Sequence, residues 1–99
     1  MQGTVARIQI QTGKVEQFLA RVRELNAEQD PGLVNEYCYQ MDEDPNVMYM
    51  AVAFESREAY RANSERPEIH ARAMEVSEIA VGQPEWYDGT VVIAHEEGI

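Results

Sequence analysis

The sequence is poor in cysteine and histidine, the side chains on which disulfide scaffolds and many metal sites depend. Its single cysteine, Cys38, cannot close an intramolecular disulfide, which favours a reducing compartment. The two histidines, His70 and His95, do not lie at a spacing such as H-x-x-x-H, and no C-x-x-C pair exists. We therefore predict that no metal is bound. The glycine-rich motifs of dinucleotide and P-loop sites are also absent from the sequence.

Basic residues are scarce as well. Eight lysines and arginines stand against 18 acidic residues, which gives a formal net charge of -10. This charge repels phosphate backbones and anionic lipids, so neither nucleic acid nor a membrane is expected as a partner. No apolar run approaches the roughly 20 residues of a membrane span, and the first residues do not resemble a signal peptide. We expect a cytoplasmic protein.

The hydrophobic content, 44% of the 99 residues, is that of an ordinary globular protein. A chain of this length buries roughly 60 to 70% of its unfolded surface on folding, which is enough for one modest core. The sequence therefore predicts a single domain over residues 1–99.

The first part of the chain predicts a strand followed by a helix. Apolar residues alternate with polar ones over residues 4–12, as in a half-buried strand. The next apolar residues recur at helical spacing and predict a long amphipathic helix: Val15, Phe18, Leu19, Val22 and Leu25. This helix is expected to end near Pro31, because proline disfavours helical backbone at the residue before it.

An antiparallel hairpin is predicted next, formed by residues 33–41 and 47–55. Both segments are rich in valine, tyrosine, methionine and phenylalanine, and a turn-forming cluster at residues 42–46 separates them.

Two shorter helices and a last strand complete the predicted order. Ser56 is the predicted N-cap of a short helix through Asn63, and Pro67 suits the first turn of a further helix. A turn at residues 88–89 and a β-branched strand at residues 90–94 follow.

The resulting order is β-α-β-β-α-β with the second helix broken in two. It predicts an α+β fold, a ferredoxin-like antiparallel sheet with helices on one face. Both phases of the hairpin carry apolar side chains: Tyr37, Tyr39, Tyr49, Ala51 and Ala53 in one, and Cys38, Met48, Met50, Val52 and Phe54 in the other. One layer of helices covers only one face, so a homodimer that covers the other face is expected.

Several short stretches are similar to one known family. They are Asp-Pro-Gly at residues 30–32, Phe-Glu-Ser-Arg-Glu-Ala at residues 54–59, the segment 63–67 and the closing segment 84–92. Over nearly the whole chain the sequence resembles the antibiotic biosynthesis monooxygenase (ABM) domain family of dimeric α+β barrels. The resemblance implies a dimeric barrel with a ligand pocket between the helices and the sheet.

The resemblance also implies a function. Family members include oxygenases that need neither metal nor flavin, in which a phenol, quinol or anthrone is deprotonated and its anion reacts with oxygen. The expected protein is thus a cofactor-free monooxygenase of a small aromatic or quinone-like molecule. A small-metabolite isomerase and a non-catalytic dimeric ligand-binding or partner domain are the alternatives. The chain has Phe54 where the family often has tryptophan, and Glu68 where it often has histidine.

His70 is the predicted catalytic base, because imidazole exchanges a proton near neutral pH. By the resemblance, Asn63 would face the pocket, although a helix-end asparagine can instead bond to nearby backbone. The other predicted substrate-binding residues are Tyr60, Tyr37, Tyr49 and Met74, while tyrosines in strands also serve as core or interface. We expect Asn63 and His70 to line one internal pocket with at least one tyrosine.

Overall fold

A computed structural model describes residues 1–26 and 30–95. The chain forms four strands and three helices in the following order: β1 (Gln2–Gln9), α1 (Val15–Asn26), β2 (Leu33–Gln40), β3 (Val47–Phe54), α2 (Arg57–Ser64), α3 (Pro67–Ile79) and β4 (Glu85–Thr90). This order confirms the predicted ferredoxin-like α+β fold.

The four strands form one antiparallel sheet in the order β2-β3-β1-β4. Because side chains alternate along a strand, each strand contributes to two sides of this sheet. We call the helix-facing side the one that contains Ala6, Ile8 and Met48, which are 0%, 2% and 0% exposed. The open side is the opposite one, and it contains Val5, Tyr37 and Tyr87.

The hydrophobic core lies between the helix-facing side and the helices α1 and α3. It is formed by five buried residues: Ile8, Ile10, Phe18, Met48 and Ala80. Phe18 comes from the apolar stripe of α1, and Val22 and Val76 pack around the same cluster from α1 and α3. The amphipathic periodicity of α1 therefore determines which face of that helix meets the sheet.

Helix α2 begins and ends where local chemistry predicts. The Ser56 side chain accepts a hydrogen bond of 3.0 Å from the Ala59 amide and caps the first turn. Pro67 occupies the first turn of α3, where its missing amide hydrogen is not needed. Above the sheet, the ring of Tyr60 in α2 lies 5.6 Å from the ring of Phe54, which fixes α2 over the end of β3.

The last strand differs from its prediction. The predicted strand at residues 90–94 and turn at residues 88–89 are wrong, because β4 runs from Glu85 to Thr90 and includes both turn residues. The reason is the register with β1, in which Gln2 pairs with Thr90 and Arg7 with Glu85. Past Thr90, the Val91 amide donates one hydrogen bond of 2.9 Å to the Met1 carbonyl, and residues 91–95 are not part of a strand.

Among the described residues, no helix combines the length and the apolar character needed to cross a membrane.

Candidate functional site

One row of the sheet brings together residues that are far apart in the sequence. Glu36 of β2 pairs with Val52 of β3, Val52 pairs with Thr4 of β1, and Thr4 pairs with Asp88 of β4. Thr4 is in phase with Ala6 and therefore belongs to the helix-facing side, and so do its partners across the row. A carboxylate thus lies at each end of the row, with a valine and a threonine between them.

The middle of this side is covered less completely than its ends. In β3, Met48 and Phe54 at the two ends are buried, whereas Met50 and Val52 between them keep part of their surface exposed. Helices α1 and α3 pack over the Met48 end, and Tyr60 of α2 packs over the Phe54 end. Met50, Val52 and the neighbouring part of β1 therefore form a partly exposed apolar surface between these contacts, which we call the floor.

Three polar groups meet at the β4 end of this floor. The Tyr60 hydroxyl donates a hydrogen bond of 2.6 Å to Asp88 Oδ1. Burial, followed by this hydrogen bond, raises the pKa of Tyr60 to about 12, so its hydroxyl stays protonated at neutral pH. Thr4 Oγ1 is buried beside them and has no hydrogen-bond partner among the described residues.

Charged groups are concentrated at the β2 end. Asp30 Oδ1 accepts a hydrogen bond of 2.9 Å from Arg66 Nη1, and Asp30 Oδ2 lies 3.2 Å from Arg72 Nη1. Glu36 is half-buried near this cluster. Burial, followed by the negative charge of Asp30, raises the pKa of Glu36, while the positive charge of Arg72 opposes the shift. A carboxylate in this environment is a stronger base than an exposed glutamate.

Asn63 belongs to the same charged cluster. Its side-chain oxygen accepts a hydrogen bond of 3.1 Å from Arg66 Nη1, the nitrogen that also bonds to Asp30. The Asn63 side chain is half-buried, and its amide nitrogen forms no hydrogen bond with another described residue. The side-chain oxygen of Asn63 is therefore held by Arg66, while its side-chain nitrogen can donate a hydrogen bond to a ligand.

The other predicted residues of the helices lie elsewhere. His70 is exposed on α3, and its imidazole has no hydrogen bond or ion pair with the described residues. Met74 lies one turn further along α3 and is 68% exposed. Asn63 and His70 line neither of two depressions formed by the described residues, one on the open side of the sheet and one between α1 and α3. The structure thus does not bring these two side chains together in either depression.

Tyr37 and Tyr49 lie on the open side, away from Asn63 and Tyr60. Tyr37 pairs with Ala51 in the hairpin and is 59% exposed, and its ring lies 6.5 Å from that of Tyr39. Tyr37 and Val5 help to line a depression of about 660 Å³ on this side. Of the predicted tyrosines, only Tyr60 is close to the floor between helices and sheet.

Sequence reasoning missed three residues of this site: Thr4, Glu36 and Asp88. Thr4 is in phase with the apolar residues of β1, and Glu36 is in phase with Cys38, so alternation could have assigned both to the helix-facing side. Asp88 was hidden by the turn signal of the Asp-Gly pair. In residues 1–26 and 30–95, no group of three or more histidine, cysteine, aspartate or glutamate side chains is placed to hold a metal ion.

Comparison with known proteins identifies the family of this chain. Residues 1–74 match the sequence profile of the family described as Antibiotic biosynthesis monooxygenase. No protein of curated function is similar in sequence at a significant level.

Several solved structures share the fold. A protein from Nitrosomonas europaea, whose name proposes it as an antibiotic biosynthesis monooxygenase, has a TM-score of 0.80 at 18% identity, over 94% of this chain and 100% of that one. A conserved protein from Methanosarcina mazei Go1 has a TM-score of 0.80 at 19% identity, over 89% of each chain. A mutant of SnoaB, a cofactor-independent oxygenase from Streptomyces nogalater, has a TM-score of 0.78 at 17% identity, over 97% of each chain.

Proposed function

Because the chain belongs to the antibiotic biosynthesis monooxygenase family, we propose that it is a cofactor-independent oxygenase of a small aromatic or quinol-type compound. The observation that carries this proposal is the family match, which covers residues 1–74. SnoaB, which has the same fold, is named a cofactor-independent oxygenase, and this supports the same class of reaction here.

The floor between the helices and the sheet is suited to such a compound. Aromatic ligands are held mainly by apolar walls, and a few polar groups determine their orientation. Met50 and Val52 provide an apolar surface that is partly exposed, and polar groups lie at both of its ends. The ring would rest on the floor, while its oxygen atoms would meet the groups at the ends.

Glu36 is the side chain best placed to take a proton from this compound. It lies on the helix-facing side, it is half-buried, and its carboxylate forms no hydrogen bond or ion pair with another described residue. Burial raises the pKa of Glu36, which makes its carboxylate a stronger base than that of an exposed glutamate. The resulting electron-rich anion would then be oxidised by molecular oxygen. For a ring CH₂ group, one oxygen atom forms the product carbonyl and the other leaves as water.

Only some of the residues predicted from the sequence take part in the proposed reaction. Asn63 can donate from its free amide nitrogen, and Tyr60 contributes at the other end of the floor. His70 remains a second candidate base, which would act only on a substrate that extends over the exposed part of α3. We assign no role in the reaction to Tyr37, Tyr49 or Met74, because they lie away from the floor.

Oxygen consumption with a panel of anthrones and naphthoquinols tests the proposal. The assay contains chelator and no flavin, and the rate without protein is subtracted. We expect Glu36→Gln to lower kcat by about 100-fold or more, which is typical for loss of a general base. Glu43→Gln, which changes an exposed glutamate in the β2–β3 turn, should have no effect. The acidic limb of kcat/KM should lie above the ordinary glutamate pKa of about 4.3.

The possible results separate the alternatives. Loss of activity in His70→Gln but not in Glu36→Gln would transfer the role of base to His70. No oxygen uptake with any compound would contradict the proposed reaction. If the protein still bound these compounds without uptake, a non-catalytic ligand-binding domain would be the better description, and conversion without uptake would indicate an isomerase.

A further inference from the structure

The Thr4 hydroxyl is the one buried side-chain polar atom that lacks a partner within the described residues. Thr4 is 7% exposed, and its Oγ1 forms no hydrogen bond with them. A buried hydroxyl without a partner costs free energy, and such groups are rare in folded proteins. The neighbouring side chains Ala6 and Val52 are apolar, so a valine in place of Thr4 would suit this position better if packing were its only role.

The groups around Thr4 indicate what its hydroxyl can bind. Thr4 pairs with Asp88 across β1 and β4, and Asp88 accepts the hydrogen bond of 2.6 Å from Tyr60, so the Thr4 and Tyr60 side chains are neighbours. The two hydroxyl oxygens do not form a hydrogen bond with each other. Tyr60 has one proton, which it donates to Asp88. The Tyr60 oxygen can therefore still accept a hydrogen bond, while the Thr4 hydroxyl can both donate and accept. Together they can hold a hydroxyl group, which also donates and accepts.

We propose that Thr4 and Tyr60 form a subsite for a ligand hydroxyl at the β4 end of the apolar floor, opposite Glu36. The inference rests on the proposed function, because it requires an aromatic ligand on that floor. Glu36 and Thr4 are on strands separated by two strand spacings, or roughly 9 to 10 Å. A compound that reaches both groups must carry oxygen atoms on opposite edges of its ring system. The subsite thus selects dioxygenated aromatic compounds of about two fused rings over those with one oxygen.

Binding of a matched ligand pair tests the subsite. Equilibrium dialysis without oxygen measures the affinity for 2,6-dihydroxynaphthalene and for 2-naphthol, which lacks the second hydroxyl. We expect the dihydroxy compound to bind about five- to tenfold more tightly, the range for one net hydrogen bond. Thr4→Val should remove this advantage and leave the affinity for 2-naphthol unchanged. Thr4→Ser keeps the hydroxyl and should keep the advantage, while Tyr60→Phe should reduce it.

Several outcomes would overturn the subsite. The first is that neither compound binds. The second is that Thr4→Val weakens binding of both compounds equally. The third is that the dihydroxy compound still binds more tightly than 2-naphthol to Thr4→Val. Thermal unfolding of each variant shows whether it is folded. The oxygen assay is independent of these measurements, since a Thr4-dependent advantage without any oxygen uptake would support the subsite and contradict the oxygenase. Oxygen uptake, together with tighter binding of the dihydroxy compound that does not depend on Thr4, would support the oxygenase and contradict the subsite.

Discussion

Individual residues of this protein have roles that depend on which side of the sheet they face. Thr4 and Ile8 belong to the same strand and the same side, yet Ile8 is part of the core and Thr4 carries an unpaired hydroxyl. Glu36 and Cys38 also share a side, and burial raises the pKa of both, with the Glu36 charge adding to the shift of Cys38. The helix-facing side thus combines a packed core at its Met48 end with a partly open surface at its middle, where polar groups lie beside the apolar floor.

Phe18 tests the packed end of this side. It is 2% exposed and lies in the core cluster with Ile8 and Met48. We expect Phe18→Ala to lower the free energy of unfolding by about 3 to 5 kcal/mol, because it removes buried apolar surface and leaves a cavity. Denaturant unfolding measures the change, with the exposed Gln17→Ala in the same helix as the control. A loss of less than about 1 kcal/mol would show that this face of α1 is not core.

Helix α2 is held in place by a small number of specific contacts. It has eight residues and none of them is buried, so its position depends on a few contacts. These contacts are the Ser56 cap at its beginning, the packing of Tyr60 on Phe54 and the hydrogen bond from Tyr60 to Asp88. Because α2 carries both Tyr60 and Asn63, its position determines the geometry at both ends of the proposed site.

The Ser56 cap gives a prediction at this scale. Ser56→Ala should destabilise the protein by about 1 kcal/mol, because the Ala59 amide loses its partner. Ser64→Ala removes an exposed hydroxyl at the other end of α2 and should have a much smaller effect. Denaturant unfolding gives both values. Equal effects of the two substitutions would contradict the importance of the cap.

At the scale of the whole molecule, the open side of the sheet presents several large apolar side chains to solvent. Val5, Tyr37, Tyr39 and Tyr87 are 46%, 59%, 55% and 60% exposed. The helices lie on the other side and leave these residues uncovered. Contiguous exposed apolar surface of this kind is typical of an interface. This distribution supports the homodimer that the pattern of the hairpin predicts.

Sedimentation measures the predicted association. We expect the protein to be a dimer at micromolar concentration, and Val5→Asp in the middle of the sheet to yield a folded monomer. The carboxylate would be buried without a partner in a dimer, whereas it would remain solvated in the monomer. Glu43→Asp, a change in an exposed turn, should leave the dimer intact. A well-folded monomeric wild type at this concentration would contradict the prediction.

The local elements and the class of fold follow directly from patterns in the sequence. Helix α1, the hairpin and the Ser56 cap depend on periodicity and on contacts between residues near one another in the chain, so their signals can be read directly from the sequence. Thr4 and Glu36 could also be assigned to a side by alternation. Sequence patterns do not state which strands are neighbours or in which register, however, and these two facts place Glu36, Thr4 and Asp88 in one row.

The position of the last strand and the composition of the site depend on contacts between segments that are distant in the sequence. The Asp-Gly pair at residues 88–89 has the local signature of a turn, but pairing with β1 extends it as a strand and places Asp88 beside Tyr60. Likewise, helical spacing does not show how a helix packs on the sheet. The sequence therefore could not predict that His70 on α3 is exposed while Asn63 on α2 is half-buried. Long-range hydrogen bonding and packing override local preference at these positions, because they act between segments distant in the sequence.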